Sequence, residues 1–188
     1  MRATYCVGCQ GLLGNSSLNA VDELMIYHLR RKEQEIVDVD AMKQVLASRQ
    51  YITIALCKSD EPYLVTLSHG YDFKRNCIYF HCATEGKKLD YIRTNNKVWG
   101  QAMIDEGFAE GECKQSYTSI QFLGKVSFPQ SIDEKLEALT CMIEQLNKNP
   151  EKMQTQIAKL TPETNLKNLI VGRIDIEYLS GKQSKREA

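Results

Sequence analysis

Neither sign of charge is in surplus: 24 lysines and arginines balance 24 aspartates and glutamates, so the formal net charge is zero. No basic stripe of the kind that tracks a nucleic-acid backbone follows from that balance, and nucleic acid is not an expected partner. Nor does any apolar run approach the ~20 residues needed to span a bilayer, so no membrane partner is expected. Residues 1–24 lack the basic and apolar regions of a signal peptide, and the expectation is a cytoplasmic protein. Cys6-Val-Gly-Cys9 has the spacing of two metal ligands, but no second Cys-x-x-Cys or histidine pair completes a set of four. No metal is expected. The seven cysteines are odd in number and irregularly spaced. Cys57, Cys77, Cys82 and Cys141 fall in apolar patterns, which suits reduced thiols packed as small hydrophobes. Ser68 and Ser119 lack the histidine–acid arrangement of a hydrolase in the local sequence, and no Gly-x-Gly-x-x-Gly fingerprint of a dinucleotide site is present.

What remains suits one domain with a substantial core. Residues 1–24 read as a breaker-rich N-terminal extension, with poor order or a true start at Met25 as the two readings, and the domain as 25–188. Asp38 is placed to cap a helix whose Val39, Met42, Val45 and Leu46 share a face. Tyr51 to Cys57 alternates as a strand. Ser59 to Pro62 reads as a turn, Tyr63 to His69 as a strand, and Asp72 to Asn76 as the hairpin turn before Cys77 to Cys82. A short helix follows Lys87, then a strand from Val98 to Ile104 and a polar loop at 105–114. Tyr117 to Phe128 reads as a long strand with a bulge at Gly124. Ser131 and Glu134 form a capping-box signature before a helix carrying Leu136, Leu139, Ile143 and Leu146. Met153, Ile157 and Leu160 suggest a second helix, and Ile170 to Leu179 closes as a strand. Alternation of buried and wet positions in the first and last strands points to antiparallel pairing. The expected class is therefore mainly β, an antiparallel barrel or sandwich with peripheral helices.

The chemistry concentrates at Gly86-Lys87-Lys88. Lysine is normally biased to the other end of a helix by the macrodipole, so two of them at a helix start point to a bound anion; free N–H groups would add to their pull. Solvated first-turn lysines are the plain alternative, and one of the pair suffices for contact. His81 precedes this turn and alternates with Cys77 and Tyr79. His69 is expected on the strand face of Tyr63, Val65 and Leu67, within reach of a ligand. Trp99 reads as core or interface packing.

Pro62-Tyr-Leu-Val-Thr-Leu-Ser, Phe80-His-Cys-Ala-Thr-Glu-Gly-Lys-Lys-Leu-Asp, Tyr117-Thr-Ser-Ile, the early His28-Leu-Arg-Arg-Lys-Glu and the late Gly181-Lys182 occur in an order that resembles the pyridoxamine 5'-phosphate oxidase-like family. The likeness is strongest to its 5-nitroimidazole-resistance-like branch. It implies an FMN-binding split β-barrel of Greek-key type and a homodimer with FMN in a groove at the subunit interface. By that resemblance Val65, Thr66, Leu67 and Ser68 line the flavin edge. His81, Ala83, Thr84, Lys87 and Lys88 surround the phosphate and ribityl chain, with Ser119 and Gln101 contributed by neighbouring strands. The vitamin-B6 oxidases carry an arginine-rich phosphate strand and a late arginine–histidine segment. Here the first strand has no arginine and the last offers Arg173 alone, which points away from that activity. The expected function is an oxidoreductase reducing a small acceptor, nitroaromatic or quinone-like, whose identity is unknown. Its alternatives are a flavin carrier or sensor without robust turnover, and a haem-binding relative with His28 or His69 as axial ligand.

Overall fold

A computed structural model describes residues 29–111, 114–147, 149, 152, 155 and 169–185. The expected extension at 1–24, Cys6 and Cys9, His28, and Met153, Ile157 and Leu160 of the suggested helix lie outside the described residues. The chain divides into two units, Met1–Lys32 and Glu33–Ala188, and every strand and helix named here belongs to the second.

After β1 (Glu35–Ile36), helix α1 spans Val39–Ser48. Asp38 caps it as the sequence predicts, its carboxylate accepting from the Asp40 and Ala41 amides at 2.9 and 3.2 Å, and Met42 and Leu46 turn into the core. β2 (Tyr51–Lys58) and β3 (Glu61–Ser68) form a hairpin in which Lys58 pairs with Glu61. The turn is thus only Ser59-Asp60, with Ser59 at φ 54°. Pro62 lies inside β3, not in the turn. β3 is an edge strand, where a residue without an N–H costs no ladder bond.

β4 (Gly70–Asp72) and β5 (Cys77–Cys82) follow, then α2 (Lys87–Thr94), β6 (Lys97–Ala109), β7 (Lys114–Ser127), α3 (Ile132–Leu146) and β8 (Ile170–Ser184). The sheet order is β3-β2-β6-β7-β8-β5-β4, with β1 added on β8, and all pairs are antiparallel. β3 and β4 therefore stand at opposite ends of the sheet, yet a single residue, His69, joins them. The sheet must curl until its two ends meet at that corner. The result is a barrel closed by the chain itself rather than by hydrogen bonds between β3 and β4, which is the split barrel expected.

Ile52, Ile54, Leu56, Ile78, Phe80, Val98, Ile120, Phe122 and Ile174 fill its interior. A second, smaller core lies outside β5, where Cys77, Tyr79 and Val171 meet Ala138 and Met142 of α3. Both faces of β5 are covered, which explains its nearly unbroken apolar run.

Several expectations change. Polar composition at 105–114 suggests a loop, but β6 runs on to Ala109 and pairs with β7 from Lys114, with a register shift between Asp105 and Gly107. Asp105, Glu106 and Phe108 are exposed, so no alternation of burial marks this end of β6 as strand. The bulge at Gly124 is present, as a register shift against β8 between Leu123 and Gly124. Ser131 is the N-cap of α3 but makes no side-chain cap bond. Glu134, the other half of the expected capping box, instead accepts from the Arg173 guanidinium at 2.9 Å, since a charged donor outcompetes a backbone amide.

Candidate functional site

β5 delivers the chain to Gly86, the N-cap of α2, whose φ of 131° favours glycine and which carries no side-chain cap. A Cβ built there meets nothing within 4 Å. The helix start opens onto free space with its dipole uncompensated by any capping side chain. The Gly86 carbonyl accepts from the Leu89 and Asp90 amides, which fixes the first turn.

The two lysines there differ. Lys87 extends to β3, where its ammonium lies 3.3 Å from a Glu61 carboxylate oxygen. It also lies 4.8 Å from the ring centroid of Tyr63 and 5.3 Å from that of Tyr91, two rings that pack at 5.2 Å. Lys88 lies 5.4 Å from the Phe80 ring centroid and has no carboxylate partner among the described residues. The buried Tyr91 hydroxyl turns toward Glu61. Its nearness, and then that of Lys87, holds the Glu61 carboxyl below its ordinary range. Glu61 in turn raises both Lys87 and Tyr91. A cavity of about 790 Å³ lies here, lined by Lys58 through Pro62 with Lys87 and Tyr91.

From this corner β3 runs on as the edge of the sheet, bonded to β2 alone. Leu67 is buried and Val65 packs against the core, while Thr66 and Ser68 face outward. Thr66 and Thr53 hydroxyls pair at 3.1 Å, Thr53 stands opposite Gln101, and the Gln101 amide donates to the Ser119 hydroxyl at 2.8 Å. Thr66, Thr53, Gln101 and Ser119 thus form a polar row across the sheet, exposed at Thr66 and Gln101 and buried at Ser119. Ala83 and Thr84 are exposed between β5 and α2. His81 is exposed on the β5 face it shares with Cys77 and Tyr79, the α3 side, opposite Phe80 and Lys88.

The structure corrects the sequence reading of His69 and narrows that of Trp99, core or interface packing, to the second. His69 does not continue the face of Tyr63, Val65 and Leu67 toward a ligand. It is the corner residue, fully buried, with its Nε2 2.9 Å from the Leu46 carbonyl. Burial holds its pKa below the usual value, so the imidazole is neutral and structural. Trp99 is not core: it is 41 % exposed, with its ring edge-on to Tyr178 at 6.2 Å. Arg173 is tied to Glu134 and to Asp175 at 2.6 Å, so the one arginine of β8 is already spent on ion pairs. Glu61, Tyr63 and Tyr91 escape a sequence reading. The signal that finds Tyr91 is its position four residues after Lys87, on the same helix face.

The model of the pyridoxamine 5'-phosphate oxidase family matches residues 38–183. The chain belongs to this family. Among solved structures, a candidate 5-nitroimidazole antibiotic resistance protein from Bacteroides thetaiotaomicron is 20 % identical, over 79 % of this chain and 86 % of its own, with a TM-score of 0.67. A FAD-binding protein from Mesorhizobium loti is 21 % identical over 79 % and 96 %, with a TM-score of 0.56. A FAD- and haem-binding protein from Mycobacterium smegmatis is 15 % identical over 82 % and 77 %, with a TM-score of 0.65. These likenesses carry the split-barrel fold to the family member described here. No curated protein matches the chain.

Proposed function

We propose that the protein is an FMN-binding flavoprotein whose cofactor lies along the edge of β3, with its phosphate at the start of α2. The observation that carries this reading is the uncapped helix start at Gly86, open in front and flanked by Lys88. A terminal phosphate fits there: it would take the α2 amides and the Lys88 ammonium. Lys87 is assigned the task of holding α2 against the β2–β3 hairpin, because Glu61 and two rings already engage it. The unpaired edge of β3 from Val65 to Ser68 offers backbone groups to the flavin rim, and the row Thr66, Gln101 and Ser119 offers side chains. The bound flavin would supply the electron or hydride transfer, and the chain would place it, tune it and shield it. Small flat acceptors, nitroaromatic or quinone-like, are the proposed class of substrate.

A single barrel leaves its outer face open: Leu64 is 67 % exposed beside Trp99. Cofactor sites bury most of their ligand, so a second copy is proposed to cover this face and close two equivalent sites. A reducing, cytoplasmic setting suits the free thiols. Burial pushes Cys77 up to about 11 and Cys141 up to about 12, which leaves both unreactive at neutral pH. The haem alternative loses His69, which is committed to Leu46. The test is the visible spectrum of the purified protein, followed by titration with FMN and FAD. Flavin bands and tighter binding of FMN support the proposal, whereas a Soret band or failure to quench FMN fluorescence removes it.

A further inference from the structure

A second cavity, of about 440 Å³, opens at the end of β3 remote from Lys87. Ser48 and Arg49 at the end of α1, Gln50 and Tyr51 where β2 begins, and Met103 of β6 form its walls. Tyr51 pairs with Ser68, and Met103 with Ser119. The cavity therefore adjoins Ser68 and Ser119, whereas Lys87 meets β3 at Glu61. An extended strand covers roughly 23 Å between those two ends.

Two kinds of surface line it. Tyr51 is 59 % and Met103 52 % exposed, giving a flat ring and a polarisable thioether that the core does not use. The half-buried Arg49 adds a guanidinium. It makes one side-chain contact, Nε to the Ser48 hydroxyl at 3.4 Å, and has no carboxylate partner among the described residues. The arginine fork presents five N–H donors in one plane, which matches two coplanar oxygens. An aromatic face beside an uncommitted fork fits a flat ring that carries a carboxylate.

We propose that this cavity is a binding site for a planar aromatic acid, its ring against Tyr51 and Met103 and its carboxylate on Arg49. The assignment of such an acid as the substrate, reduced at a nitro or quinone group by the reduced flavin, rests on the flavin reading of the β3 edge, because Ser68 at the end of that edge pairs with Tyr51 of the cavity. Binding itself requires only the cavity.

The probe is 4-nitrobenzoate, with the neutral isostere 4-nitrobenzamide as its control, titrated calorimetrically into flavin-free and FMN-loaded protein. A charge-assisted hydrogen bond contributes enough for about a tenfold preference or more. Wild type should therefore bind the acid about tenfold more tightly than the amide in both preparations. Arg49→Gln should abolish the preference while leaving FMN uptake, read from the visible spectrum, unchanged. Arg49→Lys, a charge without the fork, should keep part of it. Equal binding of acid and amide by wild type, or a preference that survives Arg49→Gln, overturns the proposal, and the wild-type comparison stands even if a variant folds poorly. Acid preference in a protein that takes up no FMN would keep the site and reject the flavin reading; FMN uptake without acid preference would do the reverse.

Discussion

His69 and Gln145 set the geometry of the barrel corner through a small number of polar contacts. The consistent arrangement has the His69 Nε2–H donating to the Leu46 carbonyl. The Gln145 amide nitrogen donates to Arg49 at 2.6 Å, and the Gln145 oxygen accepts from the Tyr71 amide at 2.8 Å. The end of α1, the corner and the start of β4 are thereby joined to α3. Burial depresses the His69 pKa, so below the ordinary value of about 6.5 the unfolded chain binds a proton that the folded chain resists. Stability from this residue is then full above pH 6.5 and declines as pH falls toward the depressed folded value. Denaturant titrations at pH 7.5 and 5.5 should show a smaller loss in His69→Gln than in wild type; an equal loss would assign the acid sensitivity elsewhere. Gln145→Ala should cost about 2–4 kcal/mol, because it strands the Tyr71 amide and the Arg49 carbonyl, while the Leu46 carbonyl keeps its bond from His69. The lysines separate in the same way. Lys88→Ala should weaken FMN about tenfold or more, while Lys87→Ala should weaken it little and instead loosen the hairpin, seen as faster amide exchange at 58–61. Matching effects of the two substitutions would reject the division of roles.

At the scale of elements, packing between the corner and α3 decides what can be changed. A Cβ on Gly70 would lie 2.7 Å from the Met142 backbone nitrogen. Gly70→Ala should therefore cost about 1–3 kcal/mol by overpacking, read as a lowered denaturant midpoint, whereas a neutral result would mean that α3 moves away freely. Elements with one wet and one buried face were legible in the sequence: α1 with its Asp38 cap, β2 and the Gly86 helix start announce themselves by period and turn chemistry, and β5, covered on both faces, by its apolar run. Illegible elements lack such a face or depend on distant partners. β4 is three residues long and exists only because β5 pairs with it. The end of β6 exposes Asp105, Glu106 and Phe108. The capping box fails because Arg173, thirty-nine positions away, claims Glu134. The phosphate turn could be found locally, but the clamp on Lys87 could not, since Glu61 and Tyr63 reach it only through the curl of the sheet.

For the whole molecule, the open barrel explains why one chain offers a groove rather than an enclosed pocket. Leu64 and Trp99 remain exposed on the outer face next to the polar row that is proposed to meet the flavin. Light scattering should therefore report a dimer when FMN is bound at one per chain, and Trp99→Glu should shift it toward monomer and weaken FMN together. A monomer holding stoichiometric FMN would contradict a shared site. The most direct test of the account compares FMN with riboflavin, which lacks the phosphate, by fluorescence quenching in wild type and in a Lys87→Ala, Lys88→Ala double variant. The account predicts that wild type prefers FMN by about tenfold or more, and that the variant loses this preference while riboflavin binding is retained. Equal affinity of wild type for the two flavins would contradict a phosphate site at the start of α2.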